Sequence, residues 1–549
     1  MTLTRLFLVL LLTSMLFSCG SGQAPLGGER EIRADHIAAH TKFLSSDALE
    51  GREPGTRGET LATEYIAAQF ALAGAKPAGD NGTYFQTVPL VGVTSLPATT
   101  LSWQKTPQPV RMTWLDDFVA VNPSQQASVD IDAEAVFVGH GIVAPEFDWN
   151  DYKGVDVKGK VVVLFTNEPP SDDPAFFGGK ALTYYGRWSF KYEEATRRGA
   201  AGAIIIHTDP TAGYGWQVVR NSWSGRNPYV KLEAGQPALA VAGWVTSGVG
   251  QRLLEGLGDN VDQILAKAES RDFQPVPLGF RLRGRIQSEV QPLDTRNVVA
   301  ILEGSDPQKK NEAIVYTAHW DHLGVGVPAD GDSIYNGAVD NATGCAILLD
   351  LAQAWGRSAT RPARSIIFAA VAAEEGGLRG SEYYAHHPVI PAGKTAVNLN
   401  YDGLLPFGRT TDISLPGYER TTLLSLIEET AREFKLTIRP EAHPEQGYYY
   451  RSDHFSLAKV GVPAFSLDLG VEYVGKPEGW GLQTDEEYRT KHYHQPSDEF
   501  DPSWDFSGLE DLARFGFVVG RKVADLPELP TWNAGDEFLP AREKSQSQP

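Results

Sequence analysis

Three apolar runs in the second half of the chain lead straight into ionisable residues, and they constrain the fold more than any other feature. Ala313-Ile314-Val315-Tyr316-Thr317-Ala318 runs into His319-Trp320-Asp321, Ser365-Ile366-Ile367-Phe368-Ala369-Ala370-Val371 leads to Glu374-Glu375, and Ala396-Val397-Asn398-Leu399-Asn400 leads to Tyr401-Asp402. Short apolar runs without polar alternation read as strands buried on both faces. Residues 297–302 and 462–467 read the same way, and helical spacing appears over 342–355, 419–434 and 506–523. Strands alternating with helices from about residue 296 to 526 predict an α/β fold, a mainly parallel sheet with helices on both faces. Ligands of such sheets gather outside the carboxyl ends of the strands.

The residues at those ends are suited to metal chemistry. Imidazole and carboxylate are ligands that zinc takes. Residues two apart in an extended chain point the same way, so Asp321 is placed to hold the spare N–H of His319. A Gly- and Asp-rich loop after Asp321 reaches Asp340, and His492-Tyr493-His494-Gln495-Pro496-Ser497-Asp498 comes near the end. His319, Asp340, Glu375, Asp402 and His494 form a set whose charge balances. Two divalent ions carry +4; three carboxylates and one bridging hydroxide return it to zero. One shared carboxylate with two further ligands on each ion makes a two-metal hydrolytic centre. Glu374 is then free to act as general base, since neighbouring side chains point differently.

The pattern His-x-Asp, Gly-Ala-x-Asp-Asn-Ala-x-Gly (337–344), Glu-Glu-x-Gly-x-x-Gly-Ser (374–381), Asn-x-Asp-Gly (400–403) and Tyr-His-x-Pro-x-Asp (493–498) resembles the co-catalytic zinc peptidase family. That family includes bacterial secreted aminopeptidases and glutamate carboxypeptidase. Phe-Leu-x-Ser-Asp-x-Leu-Glu-Gly-Arg (43–52) and residues 65–77 resemble its opening segment. The resemblance implies a zinc-exopeptidase-like fold, two zinc ions per chain and a peptide substrate. It makes His319 and Asp402 ligands of one ion and Glu375 and His494 ligands of the other. Asp340 bridges, Glu374 is the base, Asp321 orients His319, and Tyr493 helps stabilise the oxyanion. His322, His454 and His492 do not match ligand positions. Aminopeptidase activity is the leading reading. A glutamate-type carboxypeptidase, a non-catalytic receptor on the same fold and a single-zinc glutaminyl cyclase are the alternatives; the complete ligand set disfavours the last two.

A chain of 549 residues exceeds one ordinary domain. Between 133 and 280 the texture turns β-rich, in runs such as 135–139, 160–165 and 201–206, and this segment resembles a protease-associated insert. The expected organisation is a lipoprotein-type signal peptide at 1–19, the first part of the peptidase domain at 20–132, the insert at 133–280, the catalytic domain at 281–530 and a tail at 531–549. Arg5 followed by an apolar run to Leu12 reads as a signal peptide, too short to span a bilayer. Leu16-Phe17-Ser18-Cys19 resembles a bacterial lipoprotein box with Cys19 as the lipidated residue. Gly20 after it is not the aspartate that commonly retains lipoproteins at the inner membrane, which favours the outer membrane if the source is a Gram-negative cell. The protein is thus expected to be exported, periplasmic or on the cell surface, and held at a membrane only through that anchor. A formal charge of −20 argues against nucleic acid as partner. Nothing in the sequence sets the oligomeric state. His36 and His40, one helical turn apart, lack a carboxylate partner and read as a helix face. Trp216 and Trp223 read as core, as does Cys345.

Overall fold

The computed structural model describes residues 28–104, 110–173, 176–258, 260–441 and 444–547. The targeting segment expected at 1–19, with Cys19, lies outside the described residues. Among these, no helix is long and apolar enough to cross a membrane.

Strands Ala313–His319, Ser365–Val371, Thr395–Asn400 and Ala464–Ser466 pair in parallel, with Ala313–His319 between Ser365–Val371 and Thr395–Asn400. Every residue of the first three is buried, which is why each reads as an unbroken apolar run. Alternate side chains leave opposite faces. Ile314, Tyr316, Ala318, Ile366, Phe368 and Ala370 share a core with helices Ala34–Leu44, Arg57–Leu72, Thr343–Arg357 and Ser507–Ala524. Val315, Ile367, Ala369 and Val371 share another with Arg379–His386 and His454–Lys459. A fully buried Ile or Phe contributes about 1.5–3 kcal/mol over an exposed one. Both faces are thus pinned, and the strand ends are held level.

The strand Val276–Leu302 continues this sheet into a second one. Its later residues pair antiparallel with Phe85–Ser95 and Ser365–Val371, its earlier ones with Thr100–Gln104 and Ser128–Phe137. Its 27 residues would span about 90 Å if unbent. Beyond Ser128–Phe137 lie the parallel strands Val161–Phe165, Gly202–Ile206 and Val241–Val245, then Phe118–Val121 antiparallel at the far side. This outer half has its own core, with Ile131, Val163, Ile204 and Phe280 on one face and Val162, Ile205 and Trp244 on the other.

Several boundaries differ from the sequence reading. The β-rich region is wider than 133–280: Thr100–Gln104, Val110–Arg111 and Phe118–Val121 belong to its sheet, and residue 133 falls inside a strand. The strand expected at 297–302 is the tail of one that begins at Val276, because Leu278, Phe280, Leu282 and Ile286 alternate inward along its first half. The helix expected from 419 starts at Leu424 after a short turn at Tyr418–Arg420. Residues 462–467 are strand only at Ala464–Ser466, since Pro463 has no N–H to give a ladder. Trp223 is buried against Trp188 and Trp244, while Trp216 is half-buried and donates Nε1 to Leu115 O at 3.0 Å. His36 Nδ1 lies 3.1 Å from Asp350 Oδ1 and His40 Nδ1 2.8 Å from Tyr65 Oη, both within the helix layer.

Candidate metal centre

Three of the five expected ligands arrive on the carboxyl side of parallel strands. His319 ends Ala313–His319, Glu375 follows Ser365–Val371 and Asp402 follows Thr395–Asn400. Asp340 comes from the segment before helix Thr343–Arg357, and His494 from the segment after helix Trp480–Lys491. Two non-glycine residues take left-handed backbone here: Ala373 (φ 52°), which turns the chain into Glu374, and His494 (φ 55°). Such residues cost roughly 1–2 kcal/mol each and persist only where packing over-determines them.

Side chains distant in sequence lock the loops. Arg52 is fully buried and donates to four carbonyls: Nε to Trp320 O at 2.8 Å, Nη1 to Leu44 O and Asn336 O at 2.6 Å each, and Nη2 to Gly337 O at 3.0 Å. It thereby ties the His319 loop to the Asp340 loop. Asp498 accepts the main-chain N–H groups of Val339 at 3.0 Å and Asp340 at 3.1 Å. Asn341 donates Nδ2 to Tyr401 O at 2.9 Å, joining the Asp340 and Asp402 loops. Gly337 sits at φ 56°, where an added Cβ would lie 2.6 Å from the His322 ring; no other residue fits there.

The donor atoms fall into two sets that share Asp340. His319 Nε2 lies 3.2 Å from Asp340 Oδ1 and 3.1 Å from Asp402 Oδ1. His494 Nε2 lies 3.2 Å from Asp340 Oδ2 and 3.0 Å from Glu375 Oε2. Ligands at about 2.1 Å from one tetrahedral zinc are about 3.4 Å apart, close to these spacings. Among the described residues no hydrogen bond reaches the buried Nε2 of His494, an orphan that a metal would satisfy. Glu374 Oε2 is further out, 3.9 Å from His319 Nε2.

The electrostatics of the cluster show the same need for cations. Burial, and then the Asp402 and Glu375 carboxylates, push Glu374 well above the usual range. Burial would raise Asp340 too, but the His319 and His494 imidazoles beside it hold it well below. Burial and Asp340 push Glu375 upward, yet His494 and His322 hold it down to about 2. The histidines themselves are held up by these carboxylates against burial, His494 to about 10. Divalent cations between these groups would satisfy the same charges.

Asp321 departs from expectation. His319 Nδ1 lies 3.2 Å from the main-chain oxygen of Asp321 and 3.7 Å from its carboxylate. The carboxylate instead accepts the N–H groups of Glu374 at 3.1 Å and Glu375 at 3.4 Å, because the turn after His319 carries the side chain across to the neighbouring strand end. His322 has a role the sequence reading left open: its Nδ1 lies 2.6 Å from Glu375 Oε1. His322 is one of the buried donors grouped with Asp340 and Glu375. Tyr493 lies tilted against His494 with ring centroids 4.0 Å apart, and burial followed by Asp340, Glu375 and Glu374 raises its hydroxyl well above 10. His454 is buried against Tyr449, and His492 turns to Ser497; neither joins the ligand atoms.

The centre opens into a cleft of about 600 Å³ lined by Asp340, Glu374, Asp402, Tyr493, Asp468 and Arg451 among others. Two of its three arginines are paired with acids. Arg489 binds both oxygens of Asp485, at 2.7 and 3.2 Å, and Arg439 pairs with Asp412 at 3.0 Å and Glu472 at 3.3 Å. Arg451 donates to Ala212 O at 3.1 Å, its guanidinium lying over the Tyr448 and Tyr214 rings. Asp468 is different. Ser466 donates to it at 3.3 Å, and among the described residues no cation pairs with it. Burial, then Asp402, Glu441 and Asp485, push it up to about 8.

A parallel α/β sheet whose strand ends deliver histidine and carboxylate donors into one cleft is suited to metal-assisted hydrolysis. Residues 297–513 match Peptidase family M28. Over 483 residues the chain is 25% identical to an aminopeptidase of Pseudomonas aeruginosa, covering 84% of this chain and 74% of that protein. Over 206 residues it is 27% identical to leupeptin-inactivating enzyme 1 of Streptomyces exfoliatus, covering 37% of this chain and 42% of that protein, less than half its length. An aminopeptidase structure from Aneurinibacillus sp. strain AM-1 shares the fold, with a TM-score of 0.55 at 19% identity over 93% of this chain and 99% of that one.

Proposed function

We propose that the protein is a two-zinc exopeptidase that removes N-terminal residues from peptides. The observation that carries the two-ion reading is the division of Asp340: Oδ1 faces His319, which in turn contacts Asp402, and Oδ2 faces His494, which contacts Glu375. His319 and Asp402 would hold one ion, Glu375 and His494 the other, with Asp340 between them. When bound, the ions supply Lewis acidity toward the scissile carbonyl and ionise a water near neutral pH. Glu374 is close to the donors but outside both sets, which suits it to accept the attacking water's proton and return it to the leaving amine. The Tyr493 hydroxyl, kept protonated by its surroundings, is suited to donate to the developing oxyanion.

The choice of substrate end follows from the cleft charges. An amine terminus calls for a carboxylate, and a carboxylate terminus for arginine. Asp468 is the uncommitted acid, whereas Arg439 and Arg489 already pair with acids, so a protonated α-amine is the group the wall favours. The test is a set of dipeptide and tripeptide substrates with free or acetylated N-termini, each with a free or amidated C-terminus. Cleavage should require the free amine and tolerate C-terminal amidation. Dependence on the free carboxylate would overturn the reading in favour of a carboxypeptidase. A protein that binds two zinc ions and cleaves none of the set would instead be a binding protein on this fold.

A further inference from the structure

The two histidine donors are held from behind in different ways. His319 Nδ1 meets the main-chain oxygen of Asp321, within its own loop. His494 Nδ1 meets Ser222 Oγ at 2.8 Å, from a residue 272 positions earlier in the chain. Ser222 lies on helix Trp216–Ser224 of the outer half. That helix buries Val219 and Trp223 in the outer core and is tied to it again by Trp216 Nε1 donating to Leu115 O. The neighbouring Asn221 donates Nδ2 to His494 O at 3.0 Å and to Gln495 Oε1 at 3.2 Å. Thus both the ring and the main chain of His494 are gripped by one helix that belongs to the other half of the molecule.

We propose that Ser222 is a positioning residue for the metal ligand His494, so that the outer half completes one metal site and not the other. This rests on the two-zinc reading. Nε2 of His494 faces Asp340 and Glu375, and an imidazole that binds a metal there must carry its proton on Nδ1. The Ser222 hydroxyl oxygen accepts that N–H and fixes both tautomer and ring orientation. Residues behind metal-bound histidines tune affinity in this manner, and removing them typically costs about ten- to a hundredfold in metal binding. His494 also sits at φ 55°, where its backbone needs holding by its surroundings. Nothing from the outer half contacts the His319 ring in the same way among the described residues. Occupancy at the His494 side therefore reports how the outer half is seated, while the His319 side is built by the catalytic half alone.

The experiment strips the full-length protein of metal and titrates it with zinc against a chelator of known affinity. Wild type, Ser222→Ala and Ser222→Thr are compared. Wild type should show two binding steps. Ser222→Ala should weaken one step about ten- to a hundredfold and leave the other unchanged, and Ser222→Thr, which keeps the hydroxyl, should restore it. Thermal unfolding in chelator, matched to wild type, establishes that Ser222→Ala is folded; Asn221→Ala offers a second variant with the same expected selectivity if it is not. Unchanged affinity at both steps overturns the proposal, and so does equal weakening of both. Fewer than two steps in wild type overturns the two-zinc reading itself, a failure seen without any variant.

Discussion

His322 grips one oxygen of Glu375 and leaves the other to face His494: Nδ1 lies 2.6 Å from Oε1, while Oε2 lies 3.0 Å from His494 Nε2. A ligand carboxylate held in this way cannot rotate out of the cluster without breaking a charge-assisted bond. His322→Ala should therefore loosen Glu375 and lower metal affinity about ten- to a hundredfold. Zinc content after dialysis against a weak chelator reads this directly. Wild-type retention would mean that His322 only fills space.

Glu374 and Glu375 should fail differently. Glu374→Gln keeps the shape but cannot accept a proton, and loss of a general base typically costs on the order of a hundred- to ten-thousandfold in rate. Its metal content should match wild type. Glu375→Gln removes a charge from the cluster and should lose metal first, with activity partly recovered by added zinc. Metal analysis and turnover on both variants settle the order; metal loss in Glu374→Gln alone would reverse the assignment.

Asp468→Asn should weaken the enzyme toward free-amine peptides by about ten- to a hundredfold in kcat/KM, the value of a hydrogen bond to a charged group. KM should carry most of the change, with metal content unaltered, because Asp468 is outside both donor sets. Steady-state kinetics on one good substrate is enough, and an unchanged KM would return Asp468 to the cleft lining.

Much of this centre is visible in the chain before folding. The strands that carry His319, Glu375 and Asp402 read as apolar runs because both faces of each are covered, and the donors sit where such runs stop. What stays hidden is whatever depends on distant partners. His322 meets Glu375 across 53 residues, Ser222 meets His494 across 272, and no local spacing brings either pair together. Asp321 was legible as a supporting residue but not the group it uses, because which way its side chain leaves the turn is decided by the neighbouring strand. The alternation Leu278, Phe280, Leu282, Ile286 does announce a strand; glycines at 279 and 284 break its texture and hide that it runs on to Leu302.

Acid should destabilise the fold through buried histidines outside the metal cluster. Burial depresses His140 and His454 to about 3, from 6.5. Each stays neutral when folded and takes up a proton on unfolding, so between pH 6.5 and 3 the unfolded chain binds more protons and stability falls as pH falls. At pH 5 each costs about 2 kcal/mol relative to pH 7. Urea unfolding of His140→Gln and His454→Gln beside wild type, at pH 7 and pH 5, isolates these contributions from other titrating groups. Each variant should gain on wild type by that amount on acidification; parallel losses would mean that the histidines are already solvated.

The continuous strand Val276–Leu302 also imposes an order of assembly. Ser128–Phe137 pairs with Val161–Phe165 on one side and with this strand on the other. During synthesis from the amino terminus, that second side has no ladder to join until the segment from Val276 has emerged. A nascent chain stopped before it would present a bare, β-rich edge, the kind of surface that recruits other chains. Once made, the same strand closes that edge and supplies the flank on which Ser365–Val371 is laid, so the half that grips His494 is sealed before the last donors are translated.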